Sequence, residues 1–184
     1  MKCRASTLLD STDRERFSHI YESSFPPDER RDVALVAELA AGGDKRFNIC
    51  LAETAHGHIT GLLTTWHFHD FVYVEHLAID AGFRGRGYGS ELMRCLLATV
   101  QCPVVLEVEP PVDAATQHRI EFYNRLGFVL HPDVDYLQPP YSPAQHPVPL
   151  RLMTCGHITP RGLQAAIATI KQAVYGCNGP LDKK

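Results

Sequence analysis

No stretch of the chain approaches the roughly 18 consecutive apolar residues that a helical bilayer crossing requires. The opening MKCRASTLLDSTDRERF lacks the unbroken apolar core of a secretion signal. Membrane is therefore not an expected partner, and the cytoplasm is the expected compartment. An excess of one charge is missing too: 18 Lys and Arg stand against 21 Asp and Glu, for a net charge of -3 and a pI near 6.3. Without a broad basic field, nucleic acid is not an expected partner either, although a local basic site is compatible with the totals. The six cysteines, Cys3, Cys50, Cys95, Cys102, Cys155 and Cys177, contain no CxxC pair. In a reducing compartment they read as small hydrophobes or free thiols, with no metal and no disulfide framework. Internal repeats are absent as well.

What remains is an ordinary globular composition, 45% hydrophobic and 21% charged over 184 residues, enough for one domain with a sizeable core. Thr12 followed by Glu15 forms a capping-box pattern, and Phe17, Ile20, Tyr21 and Phe25 then recur along one helical side. FPP at 25–27 breaks that helix. Asp28 and Glu29 suit the start of a second one, and Gly42-Gly43 stops it near residue 41. FNICLAET and HITGLLTTWHFHDFVYVEHLAID carry the β-branched and aromatic residues of a three-stranded antiparallel meander. There follow a glycine-rich turn, a helix from about residue 88, the strand CPVVLEVEP, a helix closed by Gly127 and a strand from FVL. QPPYSPAQHPVP is an extended connector, LRLMTC returns as a last strand, and RGLQAAIATIKQAVYG is a helix before a polar tail expected to fray. The pattern is α+β or mixed α/β.

The turn AGFRGRGYGS, residues 81–90, places glycines and two arginines just before an apolar helix. A helix start collects unpaired N–H groups and partial positive charge, and glycines let a phosphate approach them. A P-loop requires a lysine that this turn lacks. The dinucleotide pattern GxGxxG has Gly85 and Gly87 but Ser90 where its third glycine belongs. Arg84, Gly87 and Gly89 do fit the spacing Arg-x-x-Gly-x-Gly, directly after a predicted strand.

In that motif the chain resembles the GNAT superfamily of acetyl-CoA-dependent N-acetyltransferases. RIEFYNRLGFVL, residues 119–130, is similar to the family's second conserved helix and following strand, and YESSFPPDERR and YLQPPYSP resemble a bacterial-type subgroup. The resemblance covers about residues 5–155. It implies one GNAT domain over 1–184 with a C-terminal helical extension at about 158–175. The implied fold is a mixed, mostly antiparallel sheet, splayed and flanked by helices. Acetyl-CoA would be the acyl donor. Its diphosphate would lie on the amides of Arg84, Gly85, Arg86, Gly87, Tyr88 and Gly89, with Arg84 or Arg86 supplying charge-assisted contacts and Ser90 a hydroxyl, and its pantetheine on the backbone of Leu77, Ala78 and Ile79. Tyr123 falls where many members place a tyrosine beside the CoA sulfur.

An amine acceptor with a pKa near 10 must lose a proton, which costs about 4 kcal/mol at neutral pH. Glu75 is the first candidate base and His76 the second, although strand alternation sends neighbours to opposite faces unless a bulge intervenes. Glu107 and Glu109 share a strand face and could address a cationic acceptor or carry a water. The departing thiolate, with a thiol pKa near 8.5, benefits from a donor, and Tyr123 is placed to be that acid. His56/His58 and His67/His69 are spaced as strand ligands but lack a completing group. Trp66, Phe68, Phe71 and Tyr73 read as core and sheet surface. Tyr136 and Tyr141 either wall the acceptor pocket or flank a stiff crossing. The expected activity is direct acetyl transfer to a small-molecule amine by a monomer or homodimer. A CoA-binding sensor without turnover is the alternative.

Overall fold

The computed structural model describes residues 1–177, so the polar tail expected to fray lies outside the described residues. Seven strands form one sheet in the order β1-β2-β3-β4-β5-β7-β6. They are β1 Lys2–Ser6, β2 Phe47–Glu53, β3 Ile59–His67, β4 Val72–Ile79, β5 Val104–Val108, β6 Val129–Gln138 and β7 Val148–Cys155. All neighbours are antiparallel except β4 and β5, which run parallel.

Among the described residues five α-helices cover the two faces. α1 (Ser11–Ser24), α2 (Val33–Glu38) and α5 (Pro160–Ala173) bury Phe17, Ile20, Tyr21, Val36, Leu163, Ala166 and Ile170 against one face. α3 (Tyr88–Leu97) and α4 (Ala114–Asn124) bury Leu92, Met93, Leu96, Ile120 and Tyr123 against the other. Leu163, Ala166 and Ile170 recur at helical spacing, so α5 is part of the first core rather than an appendage. Among the described residues no helix is long and apolar enough to cross a membrane.

The structure corrects several local expectations. Asp10, not Thr12, caps α1, its carboxylate accepting from the Asp13 amide at 3.0 Å. The second helix begins only at Val33, capped by Asp32, because residues 27–29 form a single tight turn and Arg30 is extended. KCRAS forms β1, which the helix and strand patterns did not reveal. That strand brings Cys3 to α3, where it forms a disulfide with Cys95, the Cα atoms 6.9 Å apart. Four other cysteines, Cys50, Cys102, Cys155 and Cys177, are free thiols.

Candidate active site

The two parallel strands of the sheet pair only from Val72↔Val104 to Val74↔Leu106. Beyond that point each keeps its outer partner, β4 with β3 as far as Ile79↔Gly61 and β5 with β7 as far as Val108↔Arg151. The strands therefore part, leaving the inner backbone edges of 75–79 and 107–108 without strand partners. A cleft of about 520 Å³ occupies the gap, lined by Glu75 to Ile79 on one side and Glu107 to Glu109 on the other. A second cavity of about 430 Å³ adjoins it and is lined by Arg84, Gly85 and residues 87–90. Leu77, Ile79, Arg84, Arg119 and Tyr123 line both.

At the loop end, four of the five helices carry a side-chain N-cap, from Asp10, Asp32, Asp113 and Thr159. The exception is α3, whose N-cap is Gly87 with φ 82° and no side-chain hydrogen bond. Its first-turn amides are left for another acceptor. Gly85, at φ 75°, and Gly87 both occupy the left-handed region, and a Cβ at either would meet nothing within 4 Å. That open space beside unpaired donors suits a diphosphate. Arg84 fastens the turn to the strand, its Nε donating to the Ile79 carbonyl at 3.0 Å. Arg86 does not line the cavity; its guanidinium lies 5.3 Å over the Phe83 ring. Tyr88 and Ser90 line the cavity, Ala78 only the cleft.

Tyr123 sits at the junction. Its ring packs at 5.0 Å from Phe122 and 5.6 Å from Phe128. Burial raises its pKa to about 12, with Arg119 opposing, so the hydroxyl is protonated throughout the neutral range. Arg119, one turn earlier on α4, forms an ion pair with Glu109 at the cleft wall.

At the acceptor end, register shifts between Thr64 and Thr65, which pair with His76 and Val74, so Glu75 is an extra residue in β4. This bulge turns both Glu75 and His76 toward the α1 side, where the side-chain contacts of both lie. Glu75 Oε1 accepts from Arg31 Nε at 3.0 Å and Oε2 from Trp66 Nε1 at 2.9 Å. Burial pushes its pKa up, but the Arg31 charge and these donors outweigh that and hold it below the ordinary carboxylate value. A carboxylate so engaged is a fixed charge. His76 is equally committed, with Nδ1 3.1 Å from Thr64 Oγ1 and Nε2 3.0 Å from the Glu29 carbonyl. Burial keeps it neutral, and the Glu29 contact requires the proton on Nε2.

Glu107 has a different environment. Burial raises its pKa to about 7, opposed by the hydroxyls of Tyr136, Tyr73 and Tyr175. Oε2 accepts from Tyr175 at 3.1 Å, while Oε1 is buried without a hydrogen-bond partner among the described residues. Ser24 Oγ, also lining the cleft, is buried and unpartnered. The rim is fixed by the proline-rich connector: Gln145 Nε2 donates to the Arg30 carbonyl at 2.8 Å and Gln138 Nε2 to that of Asp28 at 3.2 Å. Tyr141, on the same connector, lines the cleft. Arg31, Arg119 and Tyr175 were not singled out from the sequence; Arg31 and Tyr175 are placed by contacts far along the chain, and Arg119 by the turn that brings α4 back to Glu109. Among the described residues no group of three or more His, Cys, Asp and Glu could hold a metal ion.

The chain matches the family of acetyltransferases known as GNAT over residues 14–128. Among solved structures it is similar to one from Bacteroides thetaiotaomicron assigned to the same family, at 30% identity and a TM-score of 0.88, covering 97% of this chain and 100% of that one. It shares its fold with the ribosomal-protein-S18-alanine N-acetyltransferase of Escherichia coli, at 18% identity and a TM-score of 0.59, covering 86% and 97% of the two chains. An aminoglycoside 6'-N-acetyltransferase complexed with coenzyme A has 14% identity and a TM-score of 0.59, covering 84% and 96%. No curated protein matches the chain.

Proposed function

The chain belongs to the GNAT acetyltransferase family, and from that premise we propose that it transfers the acetyl group of acetyl-CoA to a small-molecule primary amine by direct attack in a ternary complex. It is an acyltransferase, and acetyl-CoA is its acyl donor. The observation that carries the finer reading is the parting of β4 and β5 after Val74 and Leu106. It supports a path from the uncapped start of α3, through the exposed edge of residues 77–79, to the unpartnered Glu107 Oε1 and Ser24 Oγ. A single sheet with α5 in its core supports one domain throughout the described residues.

In this reading the amides of residues 84–90, with Arg84 and the Ser90 hydroxyl, hold the diphosphate, and pantetheine runs along β4. The acceptor ammonium gives a proton to Glu107, whose raised proton affinity suits it to accept one near neutral pH. Glu75 contributes a fixed negative charge that favours the cationic acceptor and the positive charge developing on its nitrogen. The free amine attacks the thioester carbonyl, a C–N bond forms, and the C–S bond breaks as the tetrahedral species collapses. Glu107 releases its proton to solvent and takes the second proton from the nitrogen, and the departing sulfur takes the Tyr123 hydroxyl proton. Tyr123 is then reprotonated from solvent.

Structurally similar proteins include N-acetyltransferases of aminoglycoside, spermidine and a ribosomal-protein alanine, which supports an amine acceptor. The test is CoA release from acetyl-CoA with a panel of primary amines, read with a thiol reagent. A no-acceptor control accounts for the protein's own thiols. Acceptor-dependent release supports transfer, and saturable CoA binding with no release for any amine supports the sensor alternative.

A further inference from the structure

The family match ends at residue 128, yet Glu107, a buried carboxylate of the cleft, is completed from residue 175. Val174 and Tyr175 follow α5, and their side chains are held in the first core by Leu163, Ala166 and Ile170. Three contacts converge there. The Tyr175 hydroxyl donates to Glu107 Oε2 at 3.1 Å, lies 3.0 Å from the Tyr73 hydroxyl, and accepts from Tyr141 at 3.5 Å. The Val174 carbonyl accepts from Arg31 Nη2, whose Nε holds Glu75. One short segment therefore touches the partners of both carboxylates that face the split in the sheet.

We propose that Tyr175 is a positioning residue for acetyl transfer: its hydroxyl donates to Glu107 Oε2 and so fixes the rotation of the carboxylate that lines the cleft. This rests on Glu107 as the proton acceptor and adds a working role for the segment beyond the family match. A donor held on one oxygen fixes the rotation of a carboxylate and so the direction of the lone pairs left for substrate. Tyr136, whose buried hydroxyl also acts on Glu107 and has no hydrogen-bond partner among the described residues, is the competing donor. The Tyr175 hydrogen bond favours the charged form of Glu107, opposing its burial.

The groups facing Glu107 come from four elements. Tyr73 and Glu75 lie on β4, Tyr136 on β6, Tyr141 on the connector and Tyr175 after α5. Arg31 reaches this cluster through Glu75 and lies 4.4 Å from the Tyr141 ring, while Lys171 Nζ lies 5.2 Å from the Tyr136 ring. Only Tyr175 donates to Glu107 Oε2 within hydrogen-bond distance among the described residues.

The experiment is an NMR titration of the full chain labelled with carboxyl-13C glutamate, using Glu107→Gln to assign the Glu107 signal. Loss of a donor to the charged form should raise the Glu107 midpoint in Tyr175→Phe by about one pH unit, tenfold in proton affinity. In a second protein, 3-fluorotyrosine at position 175 keeps the ring and hydroxyl but donates more strongly, so the midpoint should fall. Opposite movements in the two proteins establish the positioning contact. If Tyr175→Phe does not fold, the fluorinated protein decides alone, by a fall or by no change. An unmoved midpoint, or movement in the opposite sense, overturns the proposal. No acceptor is needed for this readout, so it is independent of turnover. Loss of the acid limb of turnover in Glu107→Gln tests the proton-acceptor reading separately.

Discussion

Arg31 Nε lies 3.0 Å from Glu75 Oε1, and the two side chains are 12% and 1% exposed, so the pair is sealed between α2, β4 and the connector. The same guanidinium gives Nη2 to the Val174 carbonyl and stacks 4.4 Å from the Tyr141 ring. A fork that serves two acceptors and one aromatic face cannot be replaced by an ammonium. Arg31→Met should therefore lower unfolding stability by about 3–5 kcal/mol, because Glu75 is left as an unpaired buried charge. Urea denaturation measures this, and a loss below about 1 kcal/mol would contradict the description of the pair.

Tyr123→Phe should lower kcat by about 100-fold while leaving the affinity for acetyl-CoA nearly unchanged, since a leaving-group acid acts in the transition state. Steady-state kinetics and equilibrium binding separate the two quantities. An unchanged kcat removes the role given to this hydroxyl.

Gly87→Val places a β-branched residue at φ 82° and points its side chain into the space beside the first amides of α3. CoA affinity should fall by at least about tenfold, about 1.4 kcal/mol. Equal affinities for variant and parent would count against the diphosphate assignment.

Glu107 sets the pH dependence. With its pKa raised from the ordinary 4.5 to about 7, kcat/KM should rise with pH through about 7 as the carboxylate form appears, and Glu107→Gln should lose that limb. The stability effect has the reverse sign. The folded chain holds this proton where the unfolded chain has released it, so stability from the group is present below 4.5 and is lost as pH rises through about 7. Glu107→Gln should accordingly be more stable than the parent at pH 8 by up to about 3 kcal/mol, and little different at pH 4. Denaturant midpoints at the two pH values check the crossover.

Much of this was legible in the sequence because it is local. Arg84, Gly87 and Gly89 mark the turn by their spacing, and the strand and helix beside it follow from residue type alone. The bulge at Glu75 was not legible: it is a mismatch in pairing between β3 and β4, and strand alternation treats residues 75 and 76 as opposite. Nor was the state of Glu75, which depends on Arg31, 44 residues earlier, and on Trp66. Glu107 looked like one of two equivalent acids in LEVEP. Only the fold distinguishes Glu109, paired with Arg119, from Glu107, enclosed by tyrosines from β4, β6 and the end of α5. Cys3 shows the same limit, since its partner is 92 residues away.

The most direct measurement is calorimetric titration of the full chain with CoA at high protein concentration. A single saturable transition, weakened at least about tenfold in Gly87→Val, is the predicted result. A flat trace with no saturation would contradict the reading that the glycine turn before α3 grips the nucleotide end of the acyl donor.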